Sequence, residues 1–166
     1  MKKLVLTVIL LVAILICFAC GNEQSEEDIY FEHFGLSLED FRVELEDNTK
    51  IVLGDLEVLV DNSEEKLYSF SIDKSVNILI YSLPEVNAID VKIDNETATD
   101  NSYILWAKAY GGVITMLEPM IDVDKLIEAL NITGAGNGEV MRFDTDNYIY
   151  EYLYTEQSAL LSVLTK

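Results

Sequence analysis

The sequence predicts an α+β domain in which an antiparallel sheet, built from hairpins, is covered by two or three short helices. Three observations lead to this fold class: alternating polar and apolar segments around 66–94, a second such pair at 139–154, and short helical segments that begin at capping residues. Alternation with period two is typical of strands with one buried face, whereas apolar spacings of three and four are typical of helices.

The first helix is predicted just after residue 36. Ser37 is placed as an N-cap with Asp40 three residues later, and Leu38, Phe41 and Leu45 follow at helical spacing. A serine followed by an acidic side chain at the third position can satisfy two of the free backbone N–H groups that begin a helix.

The first set of strands is predicted over 66–73 and 77–94. Tyr68, Phe70 and Ile72 alternate with more polar neighbours, and the same pattern recurs at 89–94. The residues of "DKSVN" join the first two strands as a tight turn, and "DNETATDNS" ends the last one.

Residues 103–121 allow two structures. Ala107 and Ala109 allow a helix, whereas the Tyr, Ile and Trp content and the adjacent Gly111 and Gly112 favour a hairpin. We expect a hairpin. The next segment, 122–134, predicts a helix that Asp122 or Asp124 caps and that Gly134 follows.

The tail predicts two strands around the turn "DTDN" at 144–147. Four tyrosines alternate along the second strand, so they share one face of the sheet. An exposed tyrosine row is a good binding surface, and a row of this kind is more often part of a core. The candidate binding surface consists of Tyr148, Tyr150, Tyr152 and Tyr154.

The domain, 29–166, also shows a weak twofold order, with helix-plus-hairpin units at about 35–95 and 120–166. Each hairpin is preceded by a leucine-rich segment, "LGDLEVLV" or "DKLIEALNI". This order resembles the tandem helix-plus-hairpin units of small envelope lipoproteins related to the outer-membrane assembly lipoproteins and to β-lactamase-inhibitor-like domains. The glycine-centred motif of those families is hinted at by Gly54 and Asp55.

Residues 1–19 have the pattern of a signal peptide. Lys2 and Lys3 precede an apolar run over 4–18, which is shorter than the roughly 20 residues that a membrane-spanning helix needs. Ala19 and Cys20 then resemble the lipobox of bacterial lipoprotein precursors. The resemblance implies cleavage between Ala19 and Cys20, a diacylglyceryl group on Cys20, and loss of Cys17 with the leader.

Residues 20–28 contain the lipidated cysteine and an acidic, flexible tether without apolar side chains. The alternatives for the N-terminus are an uncleaved membrane anchor and a dithiol redox or metal motif. The second alternative has no further cysteine, and His33 is the single histidine of the chain.

The net charge of the chain limits the kinds of molecule that it is expected to bind. The precursor has 11 Lys and Arg against 30 Asp and Glu, so loss of the leader leaves 9 against 30, a net charge of −21. Because nucleic-acid affinity depends on basic groups that neutralise phosphates, nucleic acid is not an expected partner, whereas a basic protein or peptide is. No cofactor, metal site or catalytic residue is assigned.

The sequence thus predicts an exported lipoprotein, attached to the extracytoplasmic side of the cell membrane by its lipid, that acts as a binding module in the cell envelope. The alternatives are a small hydrolase that uses paired carboxylates and an accessory subunit of a transport system. A hydrolase of that kind needs two acids held at a set distance across a cleft.

Overall fold

The computed structural model describes residues 30–31, 33–62, 64–83 and 86–166. The predicted signal peptide, cleavage site, lipidated Cys20 and tether lie outside the described residues. Within the described residues the chain forms nine strands and three helices. In chain order they are Tyr30–Phe31 (β1), Leu36–Ser37 (β2), Leu38–Thr49 (α1), Leu56–Asp61 (β3), Lys66–Ser71 (β4), Val76–Leu83 (β5), Val86–Asp94 (β6), Asp100–Leu117 (α2), Val123–Ala129 (α3), Val140–Asp144 (β7), Tyr148–Tyr154 (β8) and Ser158–Thr165 (β9).

Seven strands form one antiparallel sheet in the order β3-β4-β5-β6-β9-β8-β7. The central pair joins β6 to β9, with Ala88 opposite Leu164 and Asp94 opposite Ser158. The predicted α+β class, a hairpin-built antiparallel sheet with helices packed on it, is confirmed. The sequence interpretation ended its last strand at Tyr154 and did not assign β9, the strand that connects the two meanders.

The predicted start of α1 is confirmed. The backbone N–H of Asp40 donates to Ser37 Oγ at 3.0 Å, and the Ser37 N–H donates to Asp40 Oδ2 at 3.4 Å. Leu38, Phe41 and Leu45 are fully buried. Local capping therefore fixes where this helix begins, and its apolar stripe packs into the core.

The predicted hairpin over 103–121 is wrong, because this segment forms most of α2. Thr99 and Ser102 form a capping box at its start. The two glycines do not mark a turn: a Cβ on Gly112 would lie 2.6 Å from Leu45 Cδ1 of α1. Gly112 therefore allows the two helices to approach closely, a packing role that looks like a turn signal in the sequence.

Two further boundaries differ from the prediction. The segment "LGDLEVLV" is predicted to precede the first hairpin as a helical counterpart of 122–134, but most of it is β3, which lies next to β4 at one edge of the described sheet. The α3 helix is capped by Asp122 as predicted and ends at Ala129, before Gly134. Asn131 takes the left-handed conformation there, with φ of 47°.

The core lies between the helices and one face of the sheet. Leu45 of α1 and Trp106 and Val113 of α2 belong to the same buried cluster as alternate residues of the strands. Because successive strand residues point to opposite faces, the other half of the strand residues lies on a face away from the helices.

Candidate functional site

The predicted tyrosine row lies on the helix-covered face of the sheet. Tyr150 and Tyr152 are 0 % and 3 % exposed, and both belong to the core cluster. Tyr150 Oη donates a hydrogen bond to Glu118 Oε2 at 2.8 Å. These two central tyrosines therefore do not form part of an exposed binding surface, because their alternation places them under the helices.

The outer tyrosines of the row are half-buried. The ring of Tyr148 stacks on Phe34, with centroids 6.2 Å apart and planes within 5° of parallel. Tyr154 lines an open pocket together with Tyr152. The row thus mainly contributes to packing, and one end of it contributes to a pocket wall.

The opposite face of the sheet, which we call the open face, is formed by the outward residues of the strands. None of its larger apolar side chains belongs to the core cluster or packs against it within the described residues. These side chains are mostly half-buried by their neighbours in the sheet alone. The apolar members from β4 to β9 include Leu67, Leu79, Tyr81, Val86, Ala88, Val140, Ile149, Leu153, Leu160 and Leu164.

Asp90 lies at the centre of the open face. It pairs with Leu79 of β5 on one side and with Ser162 of β9 on the other. The residue is only 7 % exposed, and Tyr81 Oη donates to its Oδ2 at 3.2 Å. Its Oδ1 is buried and has no hydrogen-bond partner among the described residues.

The surroundings of Asp90 disfavour its ionised form. Burial raises its pKa above the ordinary value, the hydroxyls of Ser162 and Tyr81 oppose that rise, and the nearby charge of Glu151 adds to it. The carboxyl is one wall of a shallow depression of about 350 Å³ that Leu67, Leu79 and Tyr81 also line. An added positive group at this depression would relieve the unfavourable charge.

The charges of the open face are predominantly negative. Its carboxylates outnumber its cations, Lys92 and Arg142. Arg142 is held by Asp144 at 2.8 Å and by Glu151 at 3.4 Å. The carboxylates are Glu57, Asp90, Asp94, Asp144 and Glu151.

The hydrolase alternative gains no support from the described residues. Asp90 is the one acidic residue among those classed as buried there, so no two buried carboxylates face each other. The same part of the chain contains no cluster of three or more side chains suited to hold a metal ion.

The described residues also contain no helix that is both long and apolar enough to span a membrane.

Sequence reasoning missed the open face as a site for two reasons. It treated Asp90 as an ordinary outward polar residue of an alternating strand, and it did not assign β9, which supplies Ser162, Leu160 and Leu164. The signal that was present is the lack of polar alternation in "NILIYSL" and "SALLSVL", which is typical of strands with apolar residues on both faces.

No protein-family model matches the chain, and no curated protein or solved structure matches it either. Functional inference therefore depends on the geometry and charge of this molecule.

Proposed function

We propose that the chain is an exported lipoprotein, anchored to the extracytoplasmic side of the cell membrane by lipidated Cys20, that binds a basic protein or peptide of the envelope. The open face is the observation that supports a binding function. It is an apolar sheet face that no described helix covers, with a buried carboxylate at its centre. The lipid anchor is supported by the leader and the lipobox-like Ala19 and Cys20.

An apolar face of this kind favours a protein partner. Large contiguous apolar patches on a protein surface are typical of interaction sites. Leu79, Leu160 and Leu164 lie on neighbouring strands, and further burial of such side chains yields roughly 25 cal/mol per Å² of apolar area. A partner that lays an apolar surface on this face would gain that energy.

The charges favour a basic partner. The chain carries a net charge of −19, and the open face itself has more carboxylates than cations. A lysine or arginine of the partner beside Asp90 would stabilise the ionised carboxylate, which burial otherwise disfavours. Charge of one sign over a surface also speeds the encounter with a partner of the opposite sign.

The binding role is tested with two synthetic peptides, one of alternating leucine and lysine and one of alternating leucine and glutamate. We expect the full chain to bind the first and not the second in a titration followed by calorimetry, and added salt to weaken the binding. Asp90→Asn should weaken it by about tenfold, the loss of one hydrogen bond to a charged group.

A matched pair of variants locates the surface. Leu164→Lys places a cation on the open face, and Val52→Lys places one at a site that is 79 % exposed and lies outside the sheet. The first should abolish binding of the leucine–lysine peptide and the second should not. Equal binding of both peptides, or equal effects of both lysine variants, contradicts the proposal.

The anchor is tested separately, by incorporation of a radiolabelled lipid precursor. Cys20→Ala should abolish the labelling and release the protein from membranes, whereas Cys17→Ala should leave both unchanged. Labelling of the Cys20→Ala variant would contradict the lipid anchor without affecting the binding result.

A further inference from the structure

A second candidate site lies on the helix side of the sheet, between α2, the loop after α3, and the strands β8 and β9. We call it the aromatic pocket. It is an open pocket of about 380 Å³ whose walls include Tyr103, Trp106, Tyr152 and Tyr154. Asn95 and Thr133 contribute polar groups at its edge.

The rings are held in place before any ligand binds. Trp106 is 6 % exposed, and its Nε1–H donates to the carbonyl oxygen of Val91 at 3.0 Å. The ring centroid of Tyr152 lies 6.2 Å from that of Trp106. Tyr103 Oη donates to Asn95 Oδ1 at 3.2 Å. A pocket with fixed walls loses little entropy when it binds a ligand.

Tyr152 provides an unpartnered polar group in the pocket wall. The residue is 3 % exposed, and its hydroxyl makes no hydrogen bond to another described residue. Burial raises the pKa of Tyr152, and the neighbouring Tyr154, Tyr110 and Tyr103 raise it further, so the phenol stays neutral.

The charge around the pocket is negative. No charged side chain lines it, and the neighbouring segments 95–100 and 152–159 contain three acids and no lysine or arginine. The acids are Glu96, Asp100 and Glu156. Electron-rich ring faces within a negative field are the features that attract an organic cation.

We propose that the aromatic pocket binds a free small cation with an alkylated ammonium group, of which choline and tetramethylammonium are suitable probes. An alkylated ammonium is favoured over a primary ammonium, because the latter is compact and strongly hydrated. A phosphate-bearing ligand such as phosphocholine is disfavoured, because the surrounding carboxylates repel it. This site lies on the opposite side of the sheet from the open face and is independent of the proposed function.

The single tryptophan of the chain makes the test direct. Trp106 is that residue and lines the pocket, so its fluorescence reports on occupancy. We expect choline to change the fluorescence of the full chain in a saturable way. Its neutral isostere, 3,3-dimethylbutan-1-ol, should bind at least about tenfold more weakly, because it has the same shape without the charge. Phosphocholine should also bind more weakly than choline.

Matched variants on α2 identify the site. Tyr103→Ala removes a ring from the pocket edge and should weaken choline binding by about threefold to tenfold. Ile104→Ala is the control, because Ile104 is 55 % exposed and does not line the pocket. Tyr154→Leu, which keeps an apolar side chain, should weaken binding to a similar extent. Equal binding of choline and its neutral isostere, no saturable change, or unaltered binding by both tyrosine variants would overturn the proposal.

Discussion

The hydroxyl of Tyr81 donates a hydrogen bond of 3.2 Å to the carboxylate of Asp90, and the two residues come from neighbouring strands at the centre of the open face. This bond satisfies only Oδ2, and Oδ1 is buried without a partner among the described residues. Burial raises the pKa of Asp90, because its surroundings disfavour the ionised carboxylate. In the proposed function, a basic partner provides the missing compensation.

Asp90→Asn should therefore increase the free energy of unfolding at pH 7 by about 1–3 kcal/mol, the order of the cost of an incompletely paired buried polar group. The folded pKa is raised above the unfolded one, so the wild type loses stability as pH rises between these two values. The gain from the variant should be present at pH 7 and vanish below the unfolded pKa of about 3.9. Urea unfolding of both proteins at several pH values measures it. A wild type that is more stable than the variant at pH 7 would contradict this account.

The contribution of Asp73 to stability should have the opposite pH dependence. Burial alone would raise its pKa, but hydrogen bonds from Ser102 Oγ at 2.7 Å and from the N–H groups of Ser75 and Val76 at 2.8 Å each hold the pKa below its usual value. These bonds connect the turn between β4 and β5 to the first turn of α2. Asp73→Asn should lower the free energy of unfolding by about 1–3 kcal/mol at pH 7.

The stability lost in the Asp73→Asn variant should be fully present above the unfolded pKa of Asp73. It should disappear as the pH falls through the lowered pKa of Asp73 in the folded protein. Asp55→Asn, at an exposed carboxylate, is the control for charge alone. Thermal unfolding at pH 7 and near pH 3 measures both variants. A loss of stability that is the same at both pH values would show that the charge of Asp73 contributes nothing.

The adjacent glycines of α2 should respond in opposite directions to alanine. A Cβ on Gly111 meets nothing within 4 Å, so Gly111→Ala should stabilise the helix by about 0.5–1 kcal/mol. A Cβ on Gly112 would collide with the side chains of Leu45 and Thr49 in α1, so Gly112→Ala should destabilise by about 1–3 kcal/mol. Denaturant unfolding of both variants checks the contrast. Equal effects would mean that α1 and α2 are farther apart than described.

Two tyrosine hydroxyls of β8 should also differ in their effect on stability. Tyr150 Oη donates to Glu118 Oε2 at 2.8 Å, so Tyr150→Phe removes a bond to a buried tyrosine and should cost about 1.5–3 kcal/mol, as for a charged acceptor. The Tyr152 hydroxyl makes no hydrogen bond to another described residue, so Tyr152→Phe should change the free energy of unfolding by less than about 0.5 kcal/mol. Melting temperatures of the two variants measure the difference. A larger loss from Tyr152→Phe would place a stabilising partner at its hydroxyl.

Local signals were sufficient for much of the fold. Ser37 and Asp40 specify the start of α1 through contacts within one helical turn, and alternation along 66–94 specifies strands whatever their neighbours are. The four tyrosines of β8 do share one face, as their spacing predicts. The spacing alone could not determine whether helices cover that face, because exposure depends on elements that are distant in the sequence.

The structural roles of Gly112 and Asp90 could not be predicted from their neighbours in the sequence. Gly112 resembles a turn glycine in the sequence and is a site of close approach between two helices, since only α1 reveals why a side chain is excluded there. Asp90 resembles an ordinary outward polar residue until Ser162 of β9 pairs beside it and the uncovered apolar residues surround it.

The sequence by itself determined the fold class, the capped starts of α1 and α3, the strand alternation and the acidic charge, because these depend on composition and on contacts between near neighbours. Only the tertiary structure decided that the tyrosine row packs inward, that 100–117 is a helix, and that the open face and the aromatic pocket exist. Each of these depends on how β9 and α2 pack against residues far away in the chain, and spacing along the sequence does not encode that packing.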